Sequence, residues 1–88
     1  MQTQFLHIGF GNMLLVNKIV AILKPNPSHV RNIVREARER KVLISATQGK
    51  KVRSVILTSD GYVFLSTLNS ESLAGRIDDG KRHPGSDS

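Results

Sequence analysis

The chain predicts an α+β fold: a small, mostly antiparallel sheet, one principal amphipathic helix and a short C-terminal helix. Three observations predict it. Apolar runs of strand length recur between turn residues, residues 30–37 carry a helical period of apolar side chains, and Asp60-Gly61 stands between two apolar runs as a hairpin signal.

Phe5, Leu6 and Ile8 predict a first strand. Gly9-Phe10-Gly11-Asn12 follows as its turn, because two glycines and an asparagine adopt positive φ at low cost. Residues 13–24 read as a second, long apolar strand region, broken near Asn17-Lys18 into Met13-Leu14-Leu15-Val16 and Ile19-Val20-Ala21-Ile22-Leu23. Continuous hydrophobicity of this kind requires burial on both faces, by the chain's own core or by a neighbouring subunit. Asn26-Pro27-Ser28 starts a helix: Asn or Ser caps the free amides, and the donor that Pro27 lacks is not needed in the first turn.

Val30, Ile33, Val34 and Ala37 form the apolar stripe of that helix. Arg31, Arg35, Glu36, Arg38, Glu39 and Arg40 face elsewhere, with Arg35/Glu39 and Glu36/Arg40 spaced to pair weakly. The helix ends near Lys41. Val42-Leu43-Ile44 predicts a short strand, and Gln48-Gly49-Lys50-Lys51 a basic loop. Arg53 through Thr58 and Tyr62 through Ser66 are the two arms of the hairpin, and Asn69 or Ser70 caps a terminal helix through Ile77.

The length of 88 residues implies one domain, placed at 1–77. Residues 78–88 lack any large apolar side chain and are expected to form a disordered tail. A domain this small buries only ~60% of its unfolded surface, so oligomerisation is a natural source of further stability. There is no cysteine, hence no disulfide framework or thiolate metal site, and His7, His29 and His83 are scattered without ligand spacing. No metal and no cofactor are expected. The N-terminus lacks a signal-peptide pattern and no apolar run approaches the ~20 residues that span a bilayer, so a soluble, cytoplasmic protein is expected.

Charge supplies the functional lead. The formal net charge is +6, and all of the excess lies in residues 31–53. There Arg31, Arg35, Arg38, Arg40, Lys41, Lys50, Lys51 and Arg53 stand against Glu36 and Glu39, while the rest of the chain is balanced. A single-sign patch attracts a polyanion and releases its condensed counterions, so nucleic acid is the first candidate partner. Lys50-Lys51-Val52-Arg53 is its densest part: loop lysines contact phosphate as point charges, and an arginine fork grips it bidentately. Phe5, Phe10 and Phe64 read as core or interface residues rather than as stacking platforms, which favours duplex over single-strand binding.

Enzyme readings find little support. No histidine neighbours a plausible nucleophile and carboxylates do not cluster, so no catalytic residue is assigned. Gly9-Phe10-Gly11 lacks the third glycine and following helix of a dinucleotide fingerprint and is a tight turn. Two rivals to DNA remain open: an RNA partner, and a structural oligomer whose basic surface binds an acidic protein.

Three segments in order, Ile8-Gly9-Phe10-Gly11-Asn12, Ile33 through Arg40 with its Arg35-Glu36-Ala37-Arg38-Glu39-Arg40 core, and Ala46 through Val55, resemble the RemA family of bacterial regulators of extracellular matrix genes. The resemblance covers roughly residues 5–77. It implies a DNA-binding transcriptional regulator, nucleoid-associated and without enzymatic activity, in a ring-like homo-oligomer of about seven or eight subunits that engages duplex DNA multivalently. The family's DNA-binding positions fall on Lys18, Lys50 and Lys51, and a further family arginine matches Arg53. The charge pattern, and not the resemblance, adds Arg31, Arg35 and Arg38 as secondary contributors. Phe10, Leu14 and Leu15 are expected at the oligomer interface. Lysine stands at the first three positions where the best-known members carry arginine, which keeps charge but loses the bidentate fork; phosphate contact rather than base readout is implied.

Overall fold

The computed structural model describes residues 4–81, with side chains through Ile77. Strands β1 (Phe5–Gly9) and β2 (Asn12–Leu15) form a two-stranded sheet, and a single 3-10 turn (Val16–Lys18) leads into β3 (Ile19–Leu23). Helix α1 (Ser28–Glu39), β4 (Leu43–Ala46), β5 (Ser54–Thr58), β6 (Val63–Ser66) and α2 (Ser70–Lys81) follow. The expected single sheet is in fact two, since β3, β5, β6 and β4 form a separate four-stranded sheet in that order. It is antiparallel except for β4 beside β6, which run parallel because α1 returns the chain to the far edge of the sheet.

Side-chain alternation along the central strands builds three layers. Val55, Val63 and Leu65 pack with Val30 and Ala37 on the α1 face, whereas Ile56 packs with Leu6, Ile8 and Leu73 on the face covered by the β1–β2 hairpin and α2. Burial on both faces explains why β5 and β6 read as continuous apolar runs. The same reasoning fails for residues 13–24. The 3-10 turn splits them between two sheets, β3 is an edge strand, and Val20, at a bulge in its register with β5, is 66% exposed. Met13 on β2 is 51% exposed.

Helix ends follow local chemistry. Pro27 is the N-cap of α1 and no side chain caps it, so neither Asn26 nor Ser28 serves as expected. At the other end Lys41 adopts φ +61°, its amide reaching Arg38 O and that of Val42 reaching Ala37 O. These paired bonds satisfy the last carbonyls and turn the chain into β4. Asn69 Oδ1 accepts from the Ser72 amide at 2.7 Å and caps α2. Helix α2 runs on to Lys81, past the expected end at Ile77; of the proposed tail, residues 82–88 lie outside the described residues.

Candidate nucleic-acid interface

The basic loop is built on a tight turn. Gln48 (φ +50°) and Gly49 (φ +80°) are its central residues and the Lys50 amide closes it on Thr47 O at 3.0 Å. Those φ values are the type I′ pair, which suits Gly at the second central position. The base of the turn is fixed by buried Thr47, whose hydroxyl lies 2.8 Å from Ser45 Oγ.

Beyond the turn, Val52 is the anchor. Half-buried, it packs against the α1-side core, and the Arg53 amide bonds Ser66 O at 2.8 Å, extending the sheet hydrogen bonding one residue before β5. Lys50, Lys51 and Arg53 are exposed around this anchor. Lys51 and Arg53 line an open cavity together with Lys24, Pro25, Asn26, Asn69, Ser70 and Glu71. An adjoining cavity of about 300 Å³ shares Pro25 and Val52 and is lined by Arg31 and Arg38 from one flank of α1. The two cavities place Arg38, Arg31, Lys24, Lys51 and Arg53 along one continuous surface. Lys50 and Arg35 are exposed but line neither cavity.

Lys18 is elsewhere. Its carbonyl accepts the Ser59 amide at 2.8 Å, fixing it beside the β5–β6 turn, where it lines an apolar cavity with Phe5, Met13, Leu15 and Tyr62. Because Ile19 pairs with Thr58 and Leu23 with Val55, Lys18 and Lys24 lie beyond opposite ends of β3, with the whole strand, about 13 Å long, between them. One protomer therefore does not gather Lys18 with Lys50 and Lys51. Of the expected interface residues, Phe10 is 42% exposed at the tip of the β1–β2 turn in a left-handed conformation, Leu15 is half-buried, and Leu14 packs against the core.

The basic side chains are little neutralised. Neither Arg35/Glu39 nor Glu36/Arg40 closes to an ion pair within 4.0 Å; among the described residues the ion pair found is Lys24 Nζ to Glu71 Oε2 at 3.7 Å. The charge pattern does not single out Lys24 or Glu71. Lys24 comes beside the residues preceding Ser54 only because it ends the strand antiparallel to β5. Among the described residues no three His, Asp or Glu groups gather to hold a metal, and no helix is long and apolar enough to cross a membrane.

Fold and surface thus define a small two-sheet α+β domain whose distinguishing groups are exposed cations at strand ends, loops and one helix flank. A family model described as RemA-like, extracellular matrix regulatory protein A-like, matches residues 5–77. A relative from Synechococcus sp. (strain JA-2-3B'a(2-13)) is 42% identical over 77 residues, covering 88% of this chain and 86% of its own. Relatives from Alkaliphilus oremlandii (strain OhILAs) and Bacillus cytotoxicus are also 42% identical over 77 residues, with 83% and 88% of their own lengths covered. The chain belongs to the RemA-like family, and these relatives bear names that propose a regulatory role rather than an enzymatic one.

Proposed function

We propose that this protein is a DNA-binding transcriptional regulator of the bacterial nucleoid that acts as a ring-shaped homo-oligomer, with control of extracellular matrix genes as the process the family name suggests. The observation that carries the reading is the continuous surface bearing Arg38, Arg31, Lys51 and Arg53, none of them in an ion pair among the described residues. Lysine and arginine at strand ends suit phosphates, so the contacts position a duplex and specificity comes from site spacing and DNA deformability.

Assembly supplies what one protomer lacks. A patch with a few phosphate contacts binds weakly at physiological salt, whereas linked copies raise the effective concentration of each later contact. In a ring, Lys18 of one copy and the Lys50–Arg53 segment of the next alternate along the track, although one protomer holds them apart. The exposed apolar residues Phe5, Phe10, Met13, Val20 and Tyr62 are the surface from which the contacts between copies are drawn.

Fluorescence-anisotropy titration of a long duplex at several salt concentrations tests the reading. The wild type should show a steep negative slope of log affinity on log salt. The Lys50→Ala/Lys51→Ala variant should show a flatter slope, with its assembly unchanged by light scattering. Binding as tight as wild type would remove those lysines from the site, and loss of assembly alone would make them interface residues.

A further inference from the structure

Lys24 and Glu71 share the cavity of Lys51 and Arg53, and they come from elements that the charge cluster of residues 31–53 does not include. Lys24 follows the Leu23–Val55 pair at the end of β3, and Glu71 stands in the first turn of α2. Their side chains meet at 3.7 Å while remaining 68% and 76% exposed. A pair so well solvated is weakly held. Glu71 also places a carboxylate against the surface that a phosphate must approach, where like charge repels it.

We propose that Lys24 is a phosphate-contacting residue of this surface and that Glu71 is its competing internal anion, so that duplex DNA binds by taking Lys24 from Glu71. This rests on the DNA-binding reading and adds to it a cation and a built-in restraint on affinity. Two consequences have opposite sign. Removing Lys24 deletes a phosphate contact, and neutralising Glu71 both frees Lys24 and lifts the repulsion.

The test is a double-mutant cycle read as salt-dependent affinity for one 40-base-pair duplex, with Lys51→Ala as reference. Lys24→Ala should flatten the slope of log affinity on log salt by at least ~0.9, the release expected for one phosphate contact. Glu71→Gln should tighten binding by about two- to fivefold, the range of an exposed charge interaction. In the Lys24→Ala background that gain should shrink, because the exchange has lost one partner. Circular dichroism of Glu71→Gln should match wild type in helix content. A Lys24→Ala slope equal to wild type, beside a flattened Lys51→Ala slope, overturns the inference and leaves the DNA reading standing. So does a Glu71→Gln variant that binds no more tightly, or whose gain is the same with and without Lys24. A wild type with no salt-dependent binding overturns the DNA reading and this inference with it.

Discussion

Ser54 and Ser66 stand opposite each other in the β5–β6 register, both fully buried, yet only the Ser66 hydroxyl is hydrogen-bonded. Ser66 Oγ donates to Ile8 O at 2.6 Å and accepts from the Leu68 amide at 3.1 Å, tying the β1–β2 hairpin and the approach to α2 onto the four-stranded sheet. Ser54 Oγ has no partner among the described residues. Ser66→Ala should therefore cost about 1–3 kcal/mol, because it strands a buried carbonyl. Ser54→Ala should be neutral to about 1 kcal/mol stabilising, because the group removed gained nothing on burial. Urea denaturation at fixed protein concentration measures both. Equal losses would mean that Ser54 has a partner in solution.

Asn69 is the corresponding polar support at α2. Its side chain caps the Ser72 amide and its carbonyl accepts the Leu73 amide at 3.1 Å, so Leu73 enters the core from a fixed first turn. Asn69→Ala should cost ~1 kcal/mol and Asn69→Ser much less, since Ser also caps. Thermal melts separate the two. A cost as large for Ser as for Ala would assign the effect to something other than capping.

How far the sequence foretells this molecule depends on whether a signal is local. The Asp60-Gly61 hairpin, the α1 stripe from Val30 to Ala37 and the turn through Phe10 are local, and each stands where the pattern puts it. Pairing between strands distant in sequence is not local. Nothing in Leu43–Ala46 says that it runs parallel to β6, and nothing in residues 13–24 says which half joins which sheet. The basic surface divides in the same way. Lys50, Lys51 and Arg53 are legible as a charge run, but Lys24 joins them only through the β3–β5 register and Glu71 only through the docking of α2. That Lys18 lies at the far end of β5 is likewise a property of register.

Gly49 tests whether the basic loop must hold its shape. At φ +80° with open space around an added Cβ, alanine there meets no clash, only the strain of a left-handed backbone. Gly49→Ala should cost about 1–2 kcal/mol if the turn is kept. If it relaxes instead, Lys50 and Lys51 lose their fixed direction, and affinity for duplex DNA should fall severalfold. The salt slope should flatten with it, because the slope counts the phosphates neutralised and the loosened lysines no longer hold theirs. Affinity and slope both equal to wild type would mean that the loop need not hold its shape.

Val20 bears on assembly. It sits at the bulge of an edge strand, 66% exposed, in an apolar groove with Ile22, Ala74 and Ile77 between β3 and α2. A monomer that leaves such a groove bare on an unprotected edge invites pairing with other chains. In the proposed ring a neighbouring copy covers it. Val20→Glu should then abolish the assembly while leaving the far-ultraviolet spectrum of the fold, since the side chain it replaces packs on little within the protomer. Melting should become independent of protein concentration, as expected once association no longer contributes. Affinity for a long duplex should fall by about 10²-fold or more as multivalency is lost. For a duplex short enough to meet a single protomer, Val20→Glu and wild type should bind alike. An assembly of unchanged mass in light scattering would move the contact between copies to the Phe5–Met13–Tyr62 surface at the other side of Lys18.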